Sequence, residues 1–206
     1  MSLYADQLLP RIVNFVMDSP TLADQRAMVA SGLYGVVLEL GFGSGLNLPH
    51  YPQEVDLVRA VDPAVLGRRL ALERIADSPV KVSYAGLDGA ALALEDGSVD
   101  CSLVTWSLCT IPAPAEALAE VHRVLKPGGT LHFIEHGLAP DPGPRKWQDR
   151  LNPLQRVVAG GCNLNRPMDS LVREAGFDLE KLDRFYLGGV PRWAGATYRG
   201  VARRVS

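Results

Sequence analysis

The chain has 206 residues, of which 47% are hydrophobic and 21% charged, and a formal net charge of -2; this is the balance of a folded globular chain about one ordinary domain long. Such a charge exerts no general pull on phosphate backbones and argues against a nucleic-acid partner. No run reaches the roughly 20 apolar residues of a membrane span, the N-terminus lacks a signal peptide's layout, and the cysteines Cys101, Cys109 and Cys162 form no C-x-x-C pair, which together point to a reducing cytoplasm.

In chain order, residues 1–30 read as a helical N-terminal cap. Within Tyr4 to Met17, the apolar residues Leu8, Leu9, Ile12, Phe15 and Val16 either close over a site or pack on the rest of the fold. Pro10 argues against one continuous helix there. Short apolar runs then alternate with helix-like segments. Strands are expected at Val36 to Leu40, Leu57 to Val61, Val80 to Ala85, Val99 to Thr105 and Leu131 to Glu135. Their apolar content on both faces suits a buried parallel sheet. Crossover helices are expected over Pro63 to Ala76 and Pro114 to Leu125; in the second, Leu118, Val121, Val124 and Leu125 recur at helical spacing before Pro127-Gly128-Gly129 stops it. Beyond these lie a Pro/Gly-rich piece from Ala139 to Pro144, a segment to Gly161, a helix near Pro167 to Ala175, and late strands near Leu179 to Tyr186 and Thr197 to Arg203. Alternating β and α elements predict an α/β, doubly wound, mostly parallel sheet. With no internal repeat or linker, residues 1–206 read as a single domain.

The segment LELGFGSGLN, Leu38 to Asn47, sets Gly41, Gly43 and Gly45 at alternate positions directly after the first strand. Glycine permits positive φ and leaves no Cβ in a ligand's way. The loop after that strand lies where ligands bind an open α/β sheet. A dinucleotide fingerprint would need glycine at position 46, where Leu46 stands. An amino-acid ligand instead offers one carboxylate and one ammonium: the glycine N–H groups can face the first, and Glu39 can serve the second directly or through water. Asp62, closing the second strand, is placed to accept from both hydroxyls of a ribose, and Asp88, after the third, from an adenine amino group. The plainer readings are that Asp62-Pro63 caps the next helix and that Asp88 is a loop residue.

With those residues assembled, ELGFGSG, VDP, GLDGAALALEDGSVD and HRVLKPGG stand in an order that resembles the class I S-adenosylmethionine-dependent methyltransferases over nearly the whole chain. The resemblance implies a seven-stranded Rossmann-like sheet with one antiparallel strand in its last pair, and S-adenosyl-L-methionine as cofactor. It implies that Gly41, Phe42, Gly43 and Gly45 line the methionine moiety, that Asp62 meets the ribose, and that Leu87 and Asp88 frame the adenine, with Glu39, Asn47 and Pro63 also expected to bind the cofactor. Thr105 and Trp106 would sit near the sulfonium; Trp106 is equally readable as core. EHG, WQDRLNPLQ and GGCNLNRPMDSLVREAGF are similar to the branch containing the animal alkyl-thiol methyltransferases and small bacterial type 11 relatives. That branch implies a small-molecule acceptor, a thiol first and an amine or phospholipid head group second, with residues 137–178 as an acceptor-side insertion. Phe42 departs from the small residue common at its position, and the animal enzymes' membrane-anchoring segment is missing. Contact with a membrane surface stays open, and oligomeric state is not legible.

Methyl transfer from a sulfonium needs placement more than a strong base. A thiol acceptor is easiest, since some thiolate exists at neutral pH. His136, at the carboxyl end of the fifth strand, could take a proton from substrate or orient the following loop. His132 to His136 also spells H-x-x-E-H, a zinc-peptidase string. On a strand, however, positions four apart are separated by roughly 13 Å, too far to share one zinc with bonds of about 2.1 Å; no metal is expected. Cys109 and Cys162 read by default as small apolar residues. Asn163, Asn165 and Arg166 order a loop or, more in keeping with their types, cap the helix near Pro167. Two readings from other classes compete: a protein that binds the cofactor without turnover, and a nicotinamide-dependent reductase, which the missing glycine and the absent Tyr/Lys pair disfavour.

Overall fold

The computed structural model describes residues 8–205, so Tyr4 to Gln7 of the N-terminal stretch lie outside the described residues. The strands are β1 (Gly35–Leu40), β2 (Val55–Val61), β3 (Lys81–Gly86), β4 (Val99–Thr105), β5 (Leu125–His136), β6 (Phe177–Tyr186) and β7 (Ala196–Arg204). They form one sheet in the order β3-β2-β1-β4-β5-β7-β6. Each contact among the first five strands is parallel, and β7 runs antiparallel to both β5 and β6. The seven-stranded, mostly parallel sheet expected from the sequence is the sheet observed.

Helices cover both faces: α1 (Leu9–Met17), α2 (Pro20–Ala30), α3 (Val65–Leu70), α4 (Leu72–Asp77), α5 (Pro114–Val124), α6 (Pro142–Val158), α7 (Met168–Glu174) and the single turn α8 (Arg192–Gly195). Adjacent strand residues point to opposite sides, and the core divides accordingly. Leu38, Val104 and Phe133 pack with Ala117, Leu118 and Val121 of α5 and Met168 and Val172 of α7. Their neighbours Val37, Leu103 and Ile134 pack on the other side with Val29 and Ala30 of α2. This double burial explains why these strands are apolar throughout, and each such side chain contributes roughly 1.5 to 3 kcal/mol.

Two expectations require correction, and one segment with no assigned element proves helical. The helix over Pro63 to Ala76 is two short helices, with Ala71 closing α3 and opening α4; Gly67 and the apolar Leu70 and Leu72 do not sustain one amphipathic face. Pro127-Gly128-Gly129 does not separate α5 from the next strand, because β5 already starts at Leu125. The triplet forms an irregularity in which Val99 pairs with Leu125 and Cys101 with Thr130, with Gly128 at φ +78°. The segment before Gly161 is the 17-residue helix α6, which tolerates Pro153 internally.

The strand order reverses between β1 and β4, so the chain departs in opposite directions from their carboxyl ends and leaves a crevice. No helix among the described residues is long and apolar enough to cross a membrane.

Candidate functional site

A cavity of about 530 Å³ opens at that crevice, within the range of small-ligand sites. Its floor is the turn after β1, where Gly41, Gly43 and Gly45 have φ of +80°, +54° and +76°, the left-handed region that side chains with a Cβ avoid. A Cβ on Gly41 would lie 1.9 Å from Ser107 Oγ, whereas one on Gly43 meets nothing nearer than the Gly41 carbonyl at 4.0 Å. Gly43 therefore presents bare backbone to open space. Behind it, Gly67 of α3 packs so closely that its own Cβ would stand 3.2 Å from the Gly43 carbonyl.

Asp62 holds this turn. Gly43 N–H donates to Asp62 Oδ2 at 2.7 Å and Ala64 N–H to Oδ1 at 2.7 Å. The helix that follows is capped at Ala64 with no side-chain cap, so Asp62-Pro63 does not play the capping role its residue types suggested. Burial pushes the Asp62 carboxyl above its usual range, opposed by these two N–H donors.

Beneath the turn lies a buried polar network. Glu39 accepts from Asn47 Nδ2 at 2.7 Å and from the Tyr51 hydroxyl at 2.5 Å. Asn47 Nδ2 also donates to Thr105 Oγ1 at 3.0 Å, and Arg26 of α2 donates to Asn47 Oδ1 at 2.9 Å and Thr105 Oγ1 at 3.2 Å. Arg26 is only 5% exposed and stands 4.8 Å over the Trp106 ring. Burial lowers its pKa to about 10, so it remains cationic at neutral pH, and burial raises that of Glu39 to about 7. The Nε of Arg26 is buried without a hydrogen-bond partner among the described residues.

The opposite wall is the turn after β4. Trp106 adopts φ +49°, a strained conformation for a bulky residue that surrounding contacts must enforce. Its N–H donates to Ile134 O at 2.8 Å. Glu135 then accepts from the N–H groups of Ser107, Leu108 and Cys109 at 2.7, 3.0 and 3.1 Å. Burial raises the Glu135 pKa to about 7 against the pull of these donors. Glu135 thus shapes the wall rather than facing the cavity.

Of the residues the sequence singled out, Gly41, Phe42, Gly43, Asn47, Asp62, Pro63, Thr105 and Trp106 line the cavity. Glu39 lies below it, where it accepts from Asn47 and Tyr51. Gly45, Leu87 and Asp88 are not in its lining; Leu87 is exposed, and Asp88 accepts from Ala90 N–H at 2.9 Å. His136 does not reach the cavity either, and its Nδ1 lies 3.9 Å from Cys162 Sγ. His132, on the same strand, is buried against Val29 O and Thr130 Oγ1. Asn163, Asn165 and Arg166 do not cap α7, whose N-cap is Pro167; they bond to Cys109 O, Asp149 Oδ1 and the carbonyls of Leu108 and Ile111 instead. Arg26, Tyr51 and Gly67 were missed, because one arginine in a helix or one tyrosine in a loop carries no sequence signal until the fold brings it to Glu39. From α1, Val13, Asn14 and Met17 complete the lining over the glycine turn; Val13 is also exposed, as are Ile12, Phe15 and Val16.

Residues 38–133 match the family model described as a methyltransferase domain. The chain is 34% identical over 153 residues to thiol S-methyltransferase TMT1B of Rattus norvegicus, covering 71% of this chain and 62% of that protein. It is 30% identical over 138 residues to phosphatidylethanolamine N-methyltransferase of Cereibacter sphaeroides, covering 63% of each. The chain thus spans about three fifths of the length of these curated relatives. Geranyl diphosphate methyltransferase solved in complex with SAM shares the fold, with TM-score 0.71 at 15% identity over 100% of this chain and 92% of that one.

The chain carries a class I S-adenosylmethionine-dependent methyltransferase domain. Within that class it is similar to the thiol S-methyltransferases. The cofactor is S-adenosylmethionine, and the cavity's own features fit it: bare backbone at Gly43, an acceptor at Asp62 for paired hydroxyls, and a cationic lining residue, Arg26, for a carboxylate.

Proposed function

We propose that this protein transfers a methyl group from S-adenosylmethionine to a small-molecule thiol. When bound, the cofactor supplies a sulfonium-activated methyl whose displacement leaves a neutral thioether. In this reading Gly43 and its neighbours approach the methionine moiety, and the Arg26 cation, which lines the cavity, attracts its carboxylate. Asp62 accepts from the ribose hydroxyls with the lone pairs that Gly43 and Ala64 leave free. Trp106 and Thr105 border the reacting end. The ring face of Trp106 already attracts the Arg26 cation and offers similar stabilisation, roughly 0.5 to 2 kcal/mol, to a sulfonium.

One observation carries the choice of acceptor. Among the described residues that line the cavity, the titratable side chains are Arg26 and Asp62, and Asp62 is committed to two backbone N–H groups. No imidazole or uncommitted carboxylate stands ready to remove a proton. Such a site favours an acceptor that reaches its nucleophilic form unaided, and a thiol does so at neutral pH more readily than a hydroxyl or a protonated amine. Val13, Met17, Ile111 and Pro112 add apolar surface suited to a hydrophobic thiol. Similarity to the thiol S-methyltransferases supports the same choice.

The test is a panel of alkyl and aryl thiols, primary amines including phosphatidylethanolamine, and phenols, with methylated product read by mass spectrometry. Methylation confined to thiols is expected. Turnover of amines or phenols alone would overturn the thiol assignment. Failure to bind S-adenosylhomocysteine in calorimetry would overturn the whole reading.

A further inference from the structure

Outside the cavity lining, two loops meet at a seam holding unused chemistry. Asn163 donates through N–H and Nδ2 to Cys109 O at 2.8 and 3.0 Å. Arg166 donates to Leu108 O, and to Ile111 O at 2.7 Å. These bonds fasten the loop between α6 and α7 to the turn after β4. Across the seam the two free thiols of Cys109 and Cys162 stand with their sulfurs 3.6 Å apart. His136 lies on the far side of Cys162, its Nδ1 3.9 Å from that sulfur. The residues flanking the pair, Thr110 and Ile111 on one loop and Ala159 and Gly160 on the other, line the cavity.

We propose that Cys109 and Cys162 form a reversible redox pair, whose disulfide ties the post-β4 wall of the cavity to the α6–α7 loop. Closing the sulfurs to the bonding distance of about 2.05 Å requires a shift of roughly 1.5 Å. Because Asn163 N–H already bonds to Cys109 O, the two backbones lie side by side, and side-chain rotation with a small loop adjustment supplies the movement. The two thiols differ in the way a sequential reaction requires. Cys162 is half-buried, reachable from outside and next to an imidazole, whereas Cys109 is buried. Contact with Cys162, with burial added, pushes the Cys109 thiol up; the same contact and His136 pull Cys162 down.

The oxidant is a small-molecule disulfide. The Cys162 thiolate attacks one of its sulfurs and expels a thiolate, leaving a mixed disulfide on Cys162. Cys109 then gives up its proton and attacks the Cys162 sulfur, releasing the second half of the oxidant. Two protein thiols lose two electrons and two protons; one external disulfide becomes two thiols. An excess of reducing thiol reverses both steps, as expected of a transient disulfide in a reducing compartment.

The inference is independent of the acceptor, and its test reads no methyl transfer. The full chain is incubated with oxidised glutathione, alkylated with iodoacetamide, digested without reduction and mapped by mass spectrometry. The expected result is one cross-link joining the Cys109 and Cys162 peptides, loss of two of the chain's three free thiols, and full recovery with dithiothreitol. Cys109→Ser is expected to stop at a glutathione adduct on Cys162. A stable adduct on Cys162 of the unmutated chain, a cross-link through Cys101, or no reaction at either thiol in the folded chain would each overturn the proposal.

Discussion

Gly43 N–H donates to Asp62 Oδ2 at 2.7 Å, so the carboxylate ending β2 holds the glycine turn that ends β1. The same group that would meet a ribose thus also fixes the loop that would meet the methionine moiety. A hydrogen bond to a charged group is typically worth about 1.5 to 3 kcal/mol. Asp62→Ala is therefore expected to weaken S-adenosylhomocysteine binding about 10- to 100-fold and to lower the melting temperature as well. Asp62→Asn keeps one acceptor but points an amide N–H₂ at a backbone donor, so it should recover stability only in part. Calorimetry showing unchanged affinity in Asp62→Ala would remove Asp62 from the binding site.

Gly41 and Gly43 share positive φ but face different surroundings, and alanine separates their roles. At Gly41 the new methyl would sit 1.9 Å from Ser107 Oγ, so the turn after β4 must move. Gly41→Ala is expected to unfold at markedly lower temperature. At Gly43 the methyl enters open space, and the cost to folding is mainly the left-handed backbone, about 1 to 2 kcal/mol. Gly43→Ala should fold, yet lose more cofactor affinity than that strain accounts for. Equal effects of the two substitutions on binding and on melting would contradict this division.

These contrasts mark how far sequence reaches. The apolar strands and their parallel character were legible because both sheet faces are buried and leave continuous Val, Leu and Ile runs, whereas the antiparallel return came only through the family resemblance. The glycine turn and Asp62 were legible because positive φ and a strand-end carboxylate each restrict residue type. Glu39 was read as serving a ligand ammonium, and the partners it has in the fold were not legible: Tyr51 and Asn47 come from the following loop, and Arg26 arrives from a helix before β1. The same limit applied to Glu135 and His136. Sequence placed both at the sheet's carboxyl edge, but only the fold turns Glu135 under the Ser107 to Cys109 backbone and His136 toward Cys162.

Burial raises the Glu39 carboxyl to about 7, and the sign of its effect on stability follows. The unfolded chain releases that proton near the ordinary glutamate value of about 4.3, while the folded chain keeps it to about 7. Between these values the folded state binds more protons, so the contribution of Glu39 is fully present below about pH 4 and is lost as pH rises through 7. The whole loss is on the order of 4 kcal/mol at most. Glu39→Gln keeps an acceptor for Asn47, and the Tyr51 hydroxyl can rotate to accept instead of donate. The expected outcome is a flatter dependence of urea-unfolding stability on pH between about 5 and 8 than in the unmutated chain. An unchanged slope would mean Glu39 is ionised throughout, held so by Arg26.

Arg74 of α4 latches α1 over the cavity. It donates to Asp18 Oδ2 and Ser44 O, each at 3.1 Å, and to Asn14 Oδ1 at 3.4 Å, while Ser44 Oγ donates to Asn14 Oδ1 at 2.6 Å. One guanidinium therefore joins the end of α1, its cavity-facing residue and the glycine turn. The Arg74–Asp18 pair is largely solvated on the aspartate side, which is 56% exposed, so its share of global stability should be small, about 0 to 1 kcal/mol. Its local effect should be larger, because the one guanidinium bonds both to the end of α1 and to the glycine turn beneath it. Arg74→Ala is expected to leave the melting temperature nearly unchanged, while amide exchange over residues 11–17 accelerates and S-adenosylhomocysteine dissociates faster. High salt should reproduce part of that change in the unmutated chain by screening the exposed pair. If exchange in α1 is the same with and without Arg74, the helix is held by its apolar contacts at Val13 and Met17, and the latch has no role in retaining the ligand.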